Sequence, residues 1–339
     1  MIVADTAIPT KARSVATWTL DLTIVVVNWN TLSLLRDCLA SVLSNSGNLS
    51  LELFVVDNAS SDGSAEMVSA EFPSVKLIRN TQNRGFAAAN NQALAVGQGR
   101  HMLLLNSDTI VLGDVLEKCV RYLDDQIDVG AMGCRVLNPD RTLQPTCFEY
   151  PNLPNLFLWT TGLARLPWPR FLGKYRMAGW KRDCERDVDV VTGCYLLVRT
   201  AALRDVGLLD ESFFFFGEET DWCKRIREHG WRVRFAPVGD IVHYGGASAK
   251  KLNHRRDVML FKALIDFNSK HGGALSAITA WSILWANTFS RYVGFAVASI
   301  VDRKGRAPSR RDHFRSILKD FPPTPLAQRR SSDAVSPRQ

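Results

Sequence analysis

The stretch HMLLLNSDTIVL, residues 101–112, decides the fold class of this chain. Its apolar run, residues 102–105, is typical of a strand that is buried on both faces, as in a parallel sheet. The chain then changes abruptly to the polar triplet NSD, residues 106–108, before apolar residues resume. The position of this polar triplet, directly after a buried strand, can be explained from the segments around it.

The residues before and after this stretch alternate between strand and helix patterns. Besides 102–105, the sequence predicts strands over 22–27, 51–56 and 75–78, and helices over 34–43 and within 62–71, 86–96 and 114–123. Strands that alternate with helices form βαβ units around a parallel sheet with right-handed crossovers. The prediction is therefore an α/β fold with a mostly parallel sheet flanked by helices.

Polar loops follow all four predicted strands, at residues 28–30, 57–61, 80–85 and 106–108. The carboxyl ends of parallel strands meet at the edge where open α/β sheets bind their ligands. Turn chemistry alone favours such residues in any one loop, but four such loops at one edge favour a polar ligand. Neither a G-x-G-x-x-G after the first strand nor a P-loop is present, so a metal ion held by Asp108 is the candidate partner for phosphates.

Length, cysteine usage and charge narrow the class of protein. The 339 residues, 46% of them hydrophobic, suffice for about two domains or one large α/β domain. The seven cysteines form no C-x-x-C pair and the first twenty residues contain no signal-like apolar run, so we expect a reducing, cytoplasmic location. Much of the net charge of +8 lies in residues 303–339, which favours a membrane surface as partner and not nucleic acid.

Seven motifs together resemble the family 2 glycosyltransferases, and most of all their bacterial rhamnosyltransferase-like branch. In chain order these are VVVNWN, VVDNASSDGS, NRGFAAANNQ, LLLNSDT, VTGCYLLVRTAAL, GLLDESFFFFGEETDWCKR and HYGG, within residues 22–248. The resemblance implies a GT-A fold, which has a Rossmann-like, mostly parallel sheet. It also implies a nucleotide-diphosphate sugar donor, a divalent metal (Mg²⁺ or Mn²⁺) and inversion at the anomeric carbon.

The resemblance assigns the donor site to the loops of the first half. It places Asp57 on the nucleotide base, residues 28–30 (Asn28, Trp29 and Asn30) against the nucleotide, and Asn83 and Arg84 near the base or ribose. The NSD triplet takes the position of the family's D-x-D motif, with Asn106 in place of the first aspartate. Asn106 can still donate a hydrogen bond to ribose, and Asp108 keeps the charge needed by the metal.

The acidic segment GEETDW, residues 217–222, follows four consecutive phenylalanines. Acidic residues are favoured at helix starts for structural reasons alone, but an apolar wall also raises the pKa of a carboxyl group and excludes water. The resemblance implies a catalytic base here and aligns Glu219 with it. Glu218 and Asp221 stay open as alternatives.

Three further residues follow from the resemblance. His243 matches a histidine that completes the metal site or contacts the diphosphate, although a lone histidine in a turn is often structural. Thr192 and Gly193 match a turn that shapes the sugar and acceptor pocket. The Pro-, Trp- and Arg-rich segment 145–186 matches nothing, and we expect it to face the acceptor.

The C-terminal part has a different character. Aromatic and aliphatic residues between 278 and 300 share one helical face and precede a basic cluster, which favours an interfacial membrane helix over a core helix. The predicted organisation is an N-terminal extension (1–20), a nucleotide-sugar-binding half (21–125), an acceptor-binding and catalytic-base half (126–250), C-terminal helices at the membrane interface (251–302) and a basic, disordered tail (303–339).

These inferences predict a metal-dependent, inverting glycosyltransferase at the inner face of the cell membrane. It would transfer a sugar, rhamnose from dTDP-rhamnose by the resemblance, to a lipid-linked or polysaccharide acceptor in cell-envelope glycan synthesis. Another donor, such as a UDP-hexose, and a catalytically silent sugar-nucleotide or glycan-binding module are the alternatives. Asp108 together with Glu219 argues against the silent module, because binding alone needs no base.

Overall fold

The computed structural model describes residues 18–163, 175–177, 179–246, 252–302 and 306–326. Four parallel strands form its first half: β1 (Leu20–Asn28), β2 (Leu51–Asp57), β3 (Lys76–Arg79) and β4 (Gly99–Asn106). The helices between them are α1 (Leu32–Ser44), α2 (Ser64–Glu71) and α3 (Phe86–Leu94), and β5 (Thr109–Val111) and α4 (Val115–Asp125) follow. The eight predicted elements of this half are all present.

The second half extends the same sheet with strands of both directions. Its elements are β6 (Val129–Leu137), β7 (Cys147–Phe148), α5 (Leu153–Thr161), β8 (Arg186–Asp187), β9 (Val190–Val191), β10 (Tyr195–Arg199), α6 (Thr200–Val206), α7 (Glu218–Glu228) and β11 (Arg232–His243). Within the described residues the sheet order is β3-β2-β1-β4-β10-β6-β11-β5, with β8 beside β11 and with β7 and β9 paired separately. β10 is antiparallel to β4 and β6, and β5 is antiparallel to β11. The sheet is thus mixed, and it is continuous across the boundary predicted near residue 125.

The core has one layer on each face of the sheet, because alternate residues of a strand point to opposite faces. Ile24 and Val26 of β1 pack with α1 and α4, whereas Val25 packs with α3 and α7. Strands buried on both sides in this way read as continuous apolar runs, which explains the pattern of residues 102–105.

Two helices follow the sheet. α8 (His254–Val301) bends at Gly273, whose φ of 75° lies outside the helical region. α9 (Arg306–Lys319) packs against α8, with the rings of Phe295 and Phe314 stacked at 5.7 Å. The prediction of a disordered tail is therefore wrong for 306–326. Ala307, Phe314, Ile317 and Phe321 recur at helical spacing and bury one side of α9 and its extension against α8, although the average composition is basic and polar.

The predicted aromatic face of α8 is divided between two environments. Trp281 packs on Phe321 and donates a hydrogen bond to the Pro322 carbonyl at 2.8 Å, so it belongs to the protein core. Other apolar side chains of the same helix are exposed, and we call them the outer stripe: Leu275, Trp285, Phe289, Val293, Val297 and Ile300. Among the described residues, no helix is both long and apolar enough to cross a bilayer.

Candidate active site

Strand direction brings distant parts of the chain to one edge of the sheet. β1, β2 and β4 end there at Asn28, Asp57 and Asn106. Because β10 is antiparallel to β4, the loop just before Tyr195 lies at this same edge. β11 also ends there, with His243 paired to the first residue of β5. All the predicted site loops therefore meet, as a parallel arrangement of the first four strands requires.

Hydrogen bonds fix the first two loops to each other. The Asn28 side chain donates to Asp57 Oδ1 at 3.1 Å, and the Ser60 amide donates to Asp57 Oδ2 at 3.0 Å. Asn30 accepts a hydrogen bond from the Ser61 amide at 2.7 Å. These contacts, of which the two to Asp57 are buried or partly buried, join the first two loops.

A first cavity opens beside these loops. Its polar lining includes Asn58, Asn83, Asn106 and Asp108, and its apolar lining is largely aromatic: Trp29, Phe86, Phe214 and Phe215. Aromatic faces suit a planar base, and amide groups suit the hydroxyl and carbonyl groups of a nucleoside. The cavity can therefore accept a nucleotide.

The structure distributes the predicted donor residues unequally. Trp29, Asn83, Asn106 and Asp108 line the first cavity, whereas Asn28, Asn30 and Asp57 support the loops behind it. The Arg84 side chain is exposed and its backbone amide donates to Asn58 Oδ1 at 2.9 Å. Asn58 is the residue that sequence reasoning missed, although it directly follows Asp57 in a segment already noted as polar.

Asn58 connects the second and third loops. Its side-chain nitrogen donates to Asn83 Oδ1 at 2.9 Å and to the Gly85 carbonyl at 3.0 Å. A side chain at Gly85 has no room, since a Cβ atom would lie 2.4 Å from the carbonyl oxygen of Phe214. The third loop is thus held between Asn58 and the phenylalanine run.

Asp108, which lines the first cavity, lies next to His243. Asp108 Oδ1 lies 3.2 Å from His243 Nε2, and Asn106 Nδ2 lies 3.2 Å from the same nitrogen. Asp108 is 6% exposed, so its carboxylate is largely shielded from water. The Tyr244 amide also donates to the Asp108 carbonyl at 2.9 Å, which ties the end of β11 to the NSD loop.

Gln144 sets the orientation of His243. Its side-chain nitrogen donates to Asn138 Oδ1 at 2.8 Å and to the His243 carbonyl at 3.2 Å, so its oxygen is the atom that faces the ring. That oxygen lies 2.6 Å from His243 Nδ1 and can only accept, which places a proton on Nδ1. In the neutral ring the Nε2 lone pair then faces the Asp108 carboxylate and the Asn106 amide nitrogen, and a cation bound there would contact both Asp108 and His243.

These donors fit a hard or borderline divalent cation. One carboxylate oxygen and one imidazole nitrogen are suitable ligands for Mn²⁺, whereas Mg²⁺ prefers sites made of oxygen ligands. The described residues contain no group of three or more His, Cys, Asp or Glu side chains that could hold a metal. Phosphate oxygens of a substrate and water would have to complete the coordination, as is usual for metals in phosphate chemistry.

A second cavity lies beside the first and contains Glu219. Its lining includes Thr192 and several aromatic residues, namely Phe148, Trp159, Tyr175, Phe216 and Phe267. A Cβ atom added at Gly193 would meet the ring of Phe86, which lines the first cavity. Gly193 therefore lies against the wall of that cavity. Tyr175 belongs to the segment expected to face the acceptor, and it lines this cavity.

The phenylalanine run separates the two cavities. Phe214 and Phe215 line the first cavity, and Phe216 lines the second. Phe213 is buried against Ala263 and Phe267 of α8, which anchors the run. A single four-residue segment therefore forms a wall shared by both cavities.

Glu218 and Glu219 begin α7 directly after this wall. Burial raises the pKa of the Glu218 carboxyl well above its ordinary value, and the neighbouring Glu219 carboxylate raises it further. Burial also raises the pKa of Glu219, while a hydrogen bond from Glu218 opposes part of that rise. Two adjacent carboxyl groups with displaced pKa values are typical of sites that move a proton. Of the two, Glu219 is the one that lines a cavity.

Asp221 has a different environment. Its carboxylate is fully buried and accepts from Arg225 Nε at 2.8 Å, from Lys270 Nζ at 2.7 Å and from His271 Nε2 at 2.8 Å. It does not line the second cavity, and its oxygens are occupied by groups that join α7 to α8. This geometry opposes the assignment of Asp221 as a catalytic base and favours a role in stability.

Comparison with known proteins identifies the class. The family model described as glycosyl transferase family 2 matches residues 23–203, more than half of the chain. The chain belongs to this family, and it is a glycosyltransferase.

Particular relatives refine the picture. The chain is 24% identical over 253 residues to the N-acetylglucosaminyl-diphospho-decaprenol L-rhamnosyltransferase of Mycobacterium tuberculosis, covering 69% of this chain and 80% of the relative. It is 25% identical over 230 residues to the O-antigen biosynthesis protein RfbC of Myxococcus xanthus, covering 64% of this chain and 17% of that protein.

A solved structure confirms the fold. The mannosyltransferase PcManGT from Pyrobaculum calidifontis, in complex with GDP-Man and Mn²⁺, aligns with a TM-score of 0.52 at 18% identity. The alignment covers 95% of this chain and 84% of that one. The predicted GT-A type α/β fold with a C-terminal helical extension is confirmed.

Proposed function

We propose that this glycosyltransferase transfers a sugar from a nucleotide-diphosphate donor in the first cavity to an acceptor hydroxyl in the second. The observation that carries the proposal is the placement of Asp108, with His243 beside it, in the lining of one cavity and of Glu219 in the other, on two sides of one aromatic wall. The proposed donor is dTDP-rhamnose, and the proposed acceptor is a lipid-linked or polymeric glycan of the cell envelope. Similarity to the mycobacterial rhamnosyltransferase supports both.

The mechanism follows from the chain's own residues. The aromatic side chains of the first cavity would hold the base, and Asp108 and His243 would hold a divalent cation. When bound, that cation neutralises the charge that develops on the departing diphosphate. Glu219 accepts the proton of the acceptor hydroxyl while the oxygen of that hydroxyl attacks the anomeric carbon of the donor sugar. Because the attack comes from the cavity opposite the leaving group, the configuration inverts.

The donor is tested by thermal unfolding in the presence of Mn²⁺ and a panel of nucleotide sugars. We expect dTDP-rhamnose to raise the melting temperature most, because only the folded state binds it. A larger shift with a UDP-hexose would assign that donor instead, with the same fold and mechanism. No shift with any nucleotide sugar would contradict the assignment of the first cavity.

The base is tested by Glu219→Gln, which keeps size and hydrogen bonding but cannot accept the proton. We expect turnover to fall by about 10²- to 10⁴-fold with an unchanged dissociation constant for the donor. Glu228→Gln on the exposed side of the same helix is the matched control and should retain turnover, since the Glu228 side chain is 51% exposed. Normal turnover of Glu219→Gln would contradict the mechanism, and loss only in Glu218→Gln would move the base to Glu218.

We also propose peripheral contact with the inner face of the membrane through the outer stripe of α8. Exposed apolar side chains next to a basic helix are typical of interfacial binding, and Arg306, Arg310, Arg315 and Lys319 of α9 are exposed. The double variant Trp285→Ser and Phe289→Ser should reduce flotation with anionic vesicles. The matched control is Ile127→Ser, which removes a still more exposed apolar side chain far from α8 in the chain. Equal flotation of both proteins would exclude this contact.

A further inference from the structure

The second cavity has two basic side chains in its lining. Arg176 follows the cavity residue Tyr175, and Arg256 lies in the first turn of α8. Both residues are exposed yet line the cavity, so they lie at its rim and not in its interior. Neither residue was selected by the sequence motifs, since Arg176 lies in the segment that matched nothing.

The charges of these two arginines are poorly neutralised by the described residues. Arg225 and Arg234 each have a carboxylate oxygen at 2.8 Å, as do most arginines of the sheet and α7. The one carboxylate near Arg256 belongs to Asp257, at 3.8 Å, and the Arg256 side chain is 49% exposed. No acidic side chain of the described chain pairs with Arg176 within salt-bridge distance. A guanidinium group left in this state is available to an anion.

Nearby contacts place these charges close to the proposed base. The pKa of Tyr175 is raised to about 12, chiefly by burial, while the charges of Arg176 and Glu219 act on it in opposite directions. The Arg256 guanidinium lies 6.0 Å from the centre of the Phe216 ring, which forms the wall next to Glu219. An anion bound by the arginines would therefore lie at the rim of the same cavity that Glu219 lines.

The remaining lining is suited to a sugar followed by an apolar chain. Trp159 and Phe216 offer aromatic faces, and Leu260 and Leu264 of α8 add aliphatic surface. A purely polar oligosaccharide would make no apolar contact with the leucines. A sugar attached through phosphate to a lipid would contact the aromatic rings with its sugar, the arginines with its phosphate and the leucines with its lipid chain. Two separate guanidinium groups also suit the several oxygens of a phosphate or diphosphate better than a single carboxylate.

We propose that Arg176 and Arg256 bind the phosphate group of a lipid-linked acceptor and so place the acceptor hydroxyl at Glu219. This inference rests on the proposed function, because it assumes that the second cavity holds the acceptor. The two arginines are then specificity-determining residues. They do not line the first cavity, so the donor diphosphate has its own partners.

The test measures binding of farnesyl diphosphate to the full chain by calorimetry. The first cavity is saturated beforehand with dTDP and Mn²⁺, so that the probe cannot bind in place of the donor. We expect Arg176→Ala and Arg256→Ala each to weaken binding of the probe by about 10- to 100-fold, the usual effect of losing a charge-assisted hydrogen bond. Arg255→Ala is the matched control, since this neighbouring arginine does not line the cavity. The affinity of the Arg255→Ala protein for farnesyl diphosphate should stay at the wild-type value.

The alternatives have distinct results. Equal affinity of all variants for farnesyl diphosphate, or equal binding of farnesol and farnesyl diphosphate, would overturn the proposal. Stronger binding of a glucuronate-containing oligosaccharide than of the diphosphate would also overturn it and would indicate a carboxylate acceptor. The preceding titration with dTDP and Mn²⁺ distinguishes a failure of the proposed function from a failure of the role of the arginines. If dTDP and Mn²⁺ do not bind, the proposed function is contradicted, whereas the role of the arginines is tested only by the later titration with farnesyl diphosphate.

Discussion

Replacement of Asp221 by asparagine separates a structural carboxylate from a catalytic one. The native carboxylate is fully buried and receives Arg225, Lys270 and His271, whose side chains are only 17%, 35% and 12% exposed. Removing one partner of a buried ion pair costs about 3–5 kcal/mol because the remaining charge stays buried without compensation. Partial exposure of Lys270 reduces that cost, so we expect a loss of about 3 kcal/mol in the free energy of unfolding.

Urea denaturation followed by tryptophan fluorescence measures this loss, and thermal unfolding of the 339-residue chain should show a decrease of about 4 °C. The matched control is Asp210→Asn, which removes a 29% exposed partner of the same lysine and should cost less than Asp221→Asn because its carboxylate is partly solvated. At temperatures where the Asp221→Asn protein is folded, turnover should remain within a few-fold of wild type. A variant with wild-type stability and lost turnover would refute this reasoning and make Asp221 the base.

Four further predictions concern the site itself. Gln144→Leu should weaken Mn²⁺ binding by about 10- to 100-fold in a calorimetric titration, because it removes the group that orients His243; unchanged affinity would contradict the proposed tautomer. The acid limb of the pH profile of kcat/KM should lie above pH 4.5, because burial raises the pKa of Glu219 and the protonated group cannot act as a base. Glu218→Leu should shift that limb to still higher pH, since it removes the hydrogen bond that lowers the pKa of Glu219, and a shift to lower pH would contradict this account. Gly85→Ala should weaken nucleotide binding and lower the melting temperature, because φ is +83° and the new Cβ would lie 2.4 Å from a carbonyl oxygen; wild-type values of both would contradict the described loop.

The first half of the fold could be predicted from the sequence because its signals are local. Each parallel strand there is an apolar run bounded by polar turns, and each helix has a periodic apolar face. The antiparallel insertion of β10 between β4 and β6 could not be predicted, because strand direction depends on contacts between residues about ninety positions apart.

The residues of the candidate site could likewise be predicted only where the sequence has a local signal. Asp108, His243 and Glu219 could be selected from motifs, since each lies next to a strand end or helix start that the sequence indicates. Gln144 and Arg256 could not, because a single polar residue in a loop or first turn has no periodic signal of its own. Their roles depend on three-dimensional neighbours about 100 and 40 residues away in the chain.

Pairing of β5 with β11 has a consequence for folding. The strand that directly follows the NSD triplet hydrogen-bonds to a strand that ends about 130 residues later in the chain. At synthesis rates of about 5–20 residues per second, a nascent chain would wait about 7 to 26 s between making these two strands. During that interval the Asp108 loop lacks His243 and the backbone contact from Tyr244 that fix it. The nascent glycosyltransferase would therefore complete the proposed cation site late, after most of its parallel sheet is able to fold. A chain that stops before β11 should have the nucleotide-binding loops but lack the contacts that fix Asp108.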